Sequence, residues 1–169
     1  MDTSEYLAFI PLLIYGIAVA DLLGQWRRFF DRNYLYLPYF ITTIMFTEVA
    51  VWNIYSYLDF LESLGSVDYF QYWMYLVQPM IFLLIVSALT PEPEIRDTEQ
   101  YFKQRMPLVF GLMAVFVLTH TIAGLGFSQP LTFTRLIIIA VCATIAVTRS
   151  VALIYVLVPI WLTIIVLRV

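Results

Sequence analysis

The chain has 169 residues, of which 62% are hydrophobic and only 12% are charged, with a formal net charge of −3 and a mean hydropathy of +0.87. This composition is too apolar for an ordinary soluble domain and predicts a polytopic membrane protein. The basic residues are few and scattered, so a nucleic-acid partner is not expected. Continuous apolar runs favour membrane helices over the alternating segments of a membrane barrel.

Six apolar segments are long enough, or nearly so, for a helix that crosses the bilayer, which needs about 20 residues. They predict an all-α membrane bundle in a single domain. The predicted spans are residues 6–26, 36–60, 69–89, 106–127, 131–148 and 151–167. The first segment follows Asp2 and Glu5 rather than basic residues, so it is predicted to be a retained helix and not a signal peptide.

Asp21 lies in the last third of the first predicted span. An acid inside a membrane is costly unless it is protonated, paired or in contact with water, so Asp21 is a candidate inner station of an ion path. Three arginines follow the span and are predicted to face anionic lipid headgroups while setting the topology: Arg27, Arg28 and Arg32.

Glu48 lies near the middle of the second predicted span and is the strongest functional signal in the sequence. At 100° per residue, a helix places Trp52, Tyr55, Asp59 and Glu62 close to the same line as Glu48. This stripe predicts an electronegative path from the outer surface to the midplane. Alternatively, Asp59 and Glu62 are simply the acids at the end of a span.

Two other polar side chains are predicted at the depth of Glu48: Gln78 in the third span and His120 in the fourth. A pair formed by Glu48 and His120 would relay protons, because imidazole titrates near neutral pH. The alternative is an ordinary hydrogen bond between helices, which contributes little to stability in membranes.

Residues 90–105 form the longest predicted connector. Pro91 and Pro93 stand early in it, and acids precede bases, which predicts a short helix of its own. This segment is either a docking surface for a partner or a capped interfacial connector, and the second interpretation is favoured.

The last two predicted spans run together for 37 nearly uninterrupted residues. As one helix they would measure about 55 Å, too long for a single crossing of a hydrocarbon core of about 30 Å. The sequence therefore predicts a tight helical hairpin with its break at Arg149 and Ser150.

Basic residues are distributed unequally between the two sides of this predicted bundle. Seven lie in the first, third and fifth connectors, and two lie on the opposite side. Because Lys and Arg in short loops stay in the cytoplasm, both termini are predicted to be on the non-cytoplasmic side. The short loops and small size favour the cytoplasmic membrane of a prokaryote.

Pro79 and Pro159 stand in similar apolar surroundings in the third and sixth spans. Transporters often use interrupted helices in inverted halves, so these prolines are hinge candidates. The similarity between the two segments covers only four identities in twelve residues, YLVQPMIFLLIV against YVLVPIWLTIIV.

The residue inventory disfavours an enzyme. The chain contains one histidine and one cysteine, so a haem held by two histidines is excluded within one chain, and no HExxH motif or phosphate-binding glycine loop is present. We therefore expect no cofactor, no metal site and no catalytic residues.

Two functional hypotheses remain. The first is a proton or cation channel or transporter centred on Glu48. The second is a non-catalytic accessory subunit of a larger membrane complex. Small residues such as Gly111, Ala114, Gly124 and Gly126 permit close helix contacts, so a homo-oligomer or a partner membrane subunit is expected in either case.

Overall fold

In a computed structural model the chain forms a bundle of helices that pack against one another. The structure describes residues 3–31, 34–61, 69–92, 94–124 and 132–168. Within these ranges there are six α-helices and one 3₁₀ turn, and no strand. They are α1 (Thr3–Trp26), the 3₁₀ turn (Arg27–Phe30), α2 (Leu37–Leu61), α3 (Tyr69–Leu89), α4 (Thr98–Gly124), α5 (Thr132–Thr148) and α6 (Ala152–Arg168). The predicted all-α class is confirmed.

Three helical segments are long and apolar enough to cross a membrane: Phe9–Phe30, Leu37–Tyr57 and Thr98–Ile122. The shorter segments Tyr75–Leu89, Phe133–Thr148 and Ala152–Val166 are also apolar. Every helix exposes large apolar side chains on the outside of the bundle. An outer surface this apolar is compatible with lipid hydrocarbon rather than with water, which indicates membrane association.

The centre of the bundle is an aromatic cluster around Phe82 of α3. Its ring centroid lies 5.6 Å from that of Tyr15 on α1, 6.4 Å from that of Phe46 on α2 and 5.5 Å from that of Phe116 on α4. All four side chains are buried. Edge and tilted ring contacts of this kind add to the packing that holds membrane helices together. The cluster joins the first four helices.

The connector of residues 90–105 becomes helical only at Thr98, and its helical part is the start of α4 rather than the separate short helix that was predicted. Instead α4 begins at Thr98, and the backbone N–H of Gln100 donates to Asp97 Oδ1 at 2.8 Å. Asp97 is therefore an N-cap, which satisfies a helix-end donor better than the prolines upstream. Because no equivalent break follows, the helix runs continuously through Pro107 into the apolar segment.

Arg28 is turned inward against the connector between α3 and α4, with only 7% of its surface exposed. Its guanidinium donates to the carbonyl oxygens of Ile95 at 2.9 Å, Glu92 at 2.8 Å and Pro91 at 3.4 Å. The lipid-facing position predicted for Arg28 is therefore wrong, because its planar guanidinium donates its hydrogen bonds to backbone carbonyls instead. Arg27 is exposed, and Arg32 lies outside the described residues.

Replacing Arg28 by Ala is expected to destabilise the protein by about 2 kcal/mol, because hydrogen bonds from a charged donor are worth roughly 1.5–3 kcal/mol and the carbonyls lose their partner. Arg27→Ala is the matched control, since it removes the same charge from an exposed neighbour. Thermal unfolding of both variants in one detergent gives the comparison. Equal midpoints would show that the Arg28 contacts add no stability.

The predicted break between the last two helices is confirmed. Helix α5 ends at Thr148, Arg149 adopts a left-handed backbone conformation with φ of 54°, and α6 starts at Ala152. The backbone N–H of Arg149 donates to the Ile145 carbonyl at 2.8 Å, which closes the last turn. Glycine usually occupies this position after a helix, because it has no Cβ to oppose a positive φ.

Arg149→Gly is therefore expected to be more stable than Arg149→Ala by about 1 kcal/mol, the scale of the left-handed penalty for a residue with a Cβ. Both variants remove the same charge, so their difference isolates the backbone effect. Parallel unfolding curves in detergent measure it. An alanine variant as stable as the glycine variant would show that this turn carries no such strain.

Candidate functional site

A cavity of about 470 Å³ lies between α2, α3, α4, α5 and α6. This volume falls within the range of pockets that hold small molecules. None of the described residues that line it belongs to α1. Apolar side chains form most of its wall, and the polar lining includes Glu48, Asn53, Ser56, Tyr57, Gln78, His120, Thr134 and Arg135.

Glu48 is held at this cavity by a hydrogen bond between α2 and α6. The indole Nε1–H of Trp161 donates to Glu48 Oε2 at 2.7 Å, and both side chains are partly buried. A bond to an ionised carboxylate is stronger than one between neutral groups. This contact therefore positions the Glu48 carboxylate at the cavity wall.

Four other polar side chains of α2 are satisfied within their own helix. The hydroxyls of Thr42, Thr43 and Thr47 each donate to the carbonyl four residues earlier, and the Asn53 amide donates to the Val49 carbonyl. Such local bonds make a polar residue tolerable in an apolar helix. Glu48 and Tyr57 instead bond to other helices, Glu48 to Trp161 of α6 and Tyr57 to the Tyr75 carbonyl of α3.

Gln78 of α3 and His120 of α4 face each other at the same cavity. His120 Nδ1 lies 3.1 Å from Gln78 Oε1, and the His120 ring is stacked on Phe116. Because an amide oxygen only accepts, Nδ1 carries the proton in this pair, and the role of Nε2 depends on the charge of the ring. The structure thus brings together both polar residues that were predicted at the depth of Glu48. A proton relay through them stays a prediction.

Arg135 and Trp161 also line the cavity, although the sequence analysis proposes neither as a site residue and treats Arg135 only as a charge on the outer side. Arg135 lies one turn inside α5, and its Nη1 is buried without a hydrogen-bond partner in the part of the chain that the structure describes. A signal was present: Arg135 is one of only two basic residues on the predicted outer side. The cavity therefore carries a guanidinium as well as a carboxylate.

No protein-family model, curated protein or solved structure matches this chain. A fold alone does not specify a function. The function is therefore to be sought in the chemistry of the cavity.

The predicted acidic stripe is only partly at the cavity. Trp52 lines it, whereas Tyr55 is 58% exposed and contacts the Trp52 ring at 5.7 Å between centroids. The side chain of Asp59 and all of Glu62 lie outside the described residues. Asp21 is exposed on α1 and does not line the cavity.

The predicted hinge residues both lie inside helices. Pro79 is buried in α3, and Pro159 is exposed in α6. Hinge motion at either residue stays a prediction. Gly111, one of the small residues predicted to permit close helix contacts, faces α5 of the same chain. A Cβ at this position would lie 3.9 Å from the Ala146 Cβ.

The described residues contain no group of three or more His, Cys, Asp or Glu side chains that could hold a metal ion. Cys142 is buried in the cavity wall. The groups that remain for chemistry are a carboxylate, a guanidinium, an imidazole paired with an amide, and two indole rings. They are suited to binding a small polar solute and to exchanging protons with it.

Proposed function

We propose that the protein is a small multi-pass membrane transport protein that moves protons or small cations through a site centred on Glu48. The observation that carries this proposal is the position of Glu48 in a solute-sized cavity inside the bundle, where Trp161 holds its carboxylate at 2.7 Å. An ionisable residue inside a membrane bundle marks a transport path by default. The cavity supplies the space that such a path needs.

We further propose that all six helices cross the membrane and that both termini are on the non-cytoplasmic side. The shortest helices, α5 and α6, have 17 residues each. This is close to the minimum for a crossing. The excess of basic residues at the first, third and fifth connectors supports this orientation. The cytoplasmic membrane of a prokaryote is the proposed location.

In this orientation the cavity lies in the outer half of the membrane. Arg135 stands near the start of α5 and His120 near the end of α4, both at the proposed outer end. The deeper wall carries Phe110, Met113 and Leu157, which are apolar. A solute would enter from outside, and the apolar end would be the barrier that movement at the predicted hinges opens.

The guanidinium of Arg135 favours some transported species over others. A positive charge at the proposed entrance repels bare metal cations, as charged groups in pores do. A proton transferred through hydrogen-bonded groups is less affected. Protons, alone or together with a solute, are therefore favoured over metal ions.

The test is proton flux in liposomes that contain the purified protein, with a pH-sensitive dye inside and an imposed pH gradient. Flux above that of empty liposomes that is lost in Glu48→Gln supports the proposal. No flux from the wild-type protein would overturn it. That result would favour the alternative, an accessory subunit, which predicts copurification with unrelated membrane proteins.

A further inference from the structure

We infer that the solute bound in this cavity is a small organic zwitterion, with a cationic group at Glu48 and a carboxylate or phosphate at Arg135. This inference rests on the proposed function, because it names the substrate class of the same site. Its basis is the presence of one carboxylate and one guanidinium on different walls of a single cavity. The same chemistry occurs in free amino acids and in zwitterionic lipid headgroups.

The two charges are separated along the helix axes. Arg135 and Trp161 lie on the antiparallel helices α5 and α6, which are joined at Arg149 and Ser150. Arg135 lies 13 residues before the end of α5 at Thr148, and Trp161 lies nine residues after the start of α6 at Ala152. The difference of four residues corresponds to roughly 6 Å of depth at 1.5 Å per residue. Trp161 is bonded to Glu48, so the carboxylate is the deeper charge. A molecule of amino-acid size spans such a gap.

The cation end of the site combines charge with aromatic rings. Trp52 and Trp161 line the cavity together with Glu48. Indole faces attract ammonium groups, and the attraction increases when water is excluded. A primary or methylated ammonium would therefore be recognised by the carboxylate and by the rings, whereas a neutral solute would gain neither contact.

The anion end is an unsatisfied donor. Arg135 Nη1 is buried and has no hydrogen-bond partner among the described residues. Leaving a buried charged donor without an acceptor is costly, and a carboxylate or phosphate oxygen would satisfy it. The neighbouring Thr134 also lines the cavity. An anionic group placed here would have a guanidinium on one side and a hydroxyl beside it.

Most of the remaining wall is apolar, although Gln78 and His120 also line it. Phe116, Val117 and Ile138 are among these apolar lining residues. They favour a solute whose charged groups are attached to a hydrocarbon side chain, because apolar surface removed from water stabilises the complex. The chemical class is therefore an amphiphilic zwitterion such as an amino acid with an aliphatic side chain.

The test compares three probes that share one carbon skeleton: L-leucine, 3-methylbutylamine without the carboxylate, and 4-methylpentanoate without the amine. Binding to the full chain in nanodiscs is followed by intrinsic tryptophan fluorescence, because Trp52 and Trp161 lie at the cavity. We expect leucine to bind at least about ten-fold more tightly than either analogue, because it alone makes both charged contacts. An amine or a carboxylate that binds as well as leucine would overturn the inference.

Two lipid compositions distinguish the sources of the zwitterion. In phosphatidylglycerol nanodiscs only the added probe carries both charges. If leucine binds there and phosphatidylethanolamine does not weaken it, the ligand is a soluble zwitterion. If phosphatidylethanolamine competes with leucine, the ligand is a headgroup of the same chemistry. If phosphatidylethanolamine does not compete and leucine binds no more tightly than the single-charge probes, the inference is wrong.

Variants of Arg135 test the anionic end of the site. Arg135→Gln should reduce leucine affinity to the level of the amine while leaving amine binding unchanged, and Arg135→Lys should recover part of it. Unchanged leucine affinity in Arg135→Gln would contradict the assignment. This test can fail without the proposed function failing. Proton flux that depends on Glu48, together with no tighter binding of leucine, would support proton transport and contradict only the zwitterion inference.

Discussion

Glu48→Gln is expected to reduce proton flux through the reconstituted protein by about 100-fold, the scale on which a positioned proton-transfer group acts in enzymes. The reason is that Gln is nearly isosteric with Glu but carries no ionisable proton. Its amide oxygen still accepts the hydrogen bond that Trp161 Nε1 donates to Glu48 at 2.7 Å. The variant should therefore fold normally and lose only the chemistry of the acid.

Asp21→Asn is the matched control for this experiment. It makes the same change from acid to amide in a residue that is exposed on α1 and does not line the cavity. We expect its flux to equal that of the wild-type protein. A large loss of flux in Asp21→Asn would place Asp21 on the ion path, in agreement with its predicted role as the inner station. Retention of flux in Glu48→Gln would exclude Glu48 as the proton-carrying group.

Trp161→Phe separates the position of the acid from its charge. It keeps the ring in the α6 wall but removes the N–H that holds Glu48. We expect partial flux, between the values of the wild-type and Glu48→Gln proteins, because the acid remains but loses the hydrogen bond from Trp161. Flux assays on the three proteins at equal density give the order.

Phe82→Ala is expected to cause the largest loss of stability, about 3–5 kcal/mol, as large-to-small changes of buried aromatic residues do. Phe82 is fully buried and contacts the rings of Tyr15, Phe46 and Phe116. Its removal would open a cavity where four helices meet. Packing is a main source of helix association in membranes, so little else would compensate for the loss.

Leu84→Ala provides the comparison for Phe82, since Leu84 lies on the same helix with 57% of its surface exposed. Its effect should be small because it creates no internal cavity. Unfolding of both variants in mixed detergent micelles, followed by circular dichroism, measures the difference. Similar stability of the two variants would show that the aromatic cluster around Phe82 does not hold the bundle together.

Much of the architecture was predictable from the sequence because its causes are local along the chain. Apolar length predicted the helices, and the third predicted span, 69–89, coincides with α3. The break at Arg149 followed from a length that no single crossing accommodates. Glu48, Gln78 and His120 were identified because a polar side chain in an apolar helix is conspicuous.

The pairing of these groups could not be predicted, because it depends on which helix faces meet. Apolar helix surfaces resemble one another in sequence, so nothing in the chain indicated that Glu48 would meet Trp161, 113 residues away, or that Arg135 would enter the same cavity. The inward turn of Arg28 was hidden for the same reason, since its acceptors are backbone carbonyls and these carry no sequence signal. The sequence by itself determined the helices and their polar residues, through length, hydropathy and charge. Only the tertiary structure decided which of those residues share a site, because packing places side chains that are distant along the chain on the walls of one cavity.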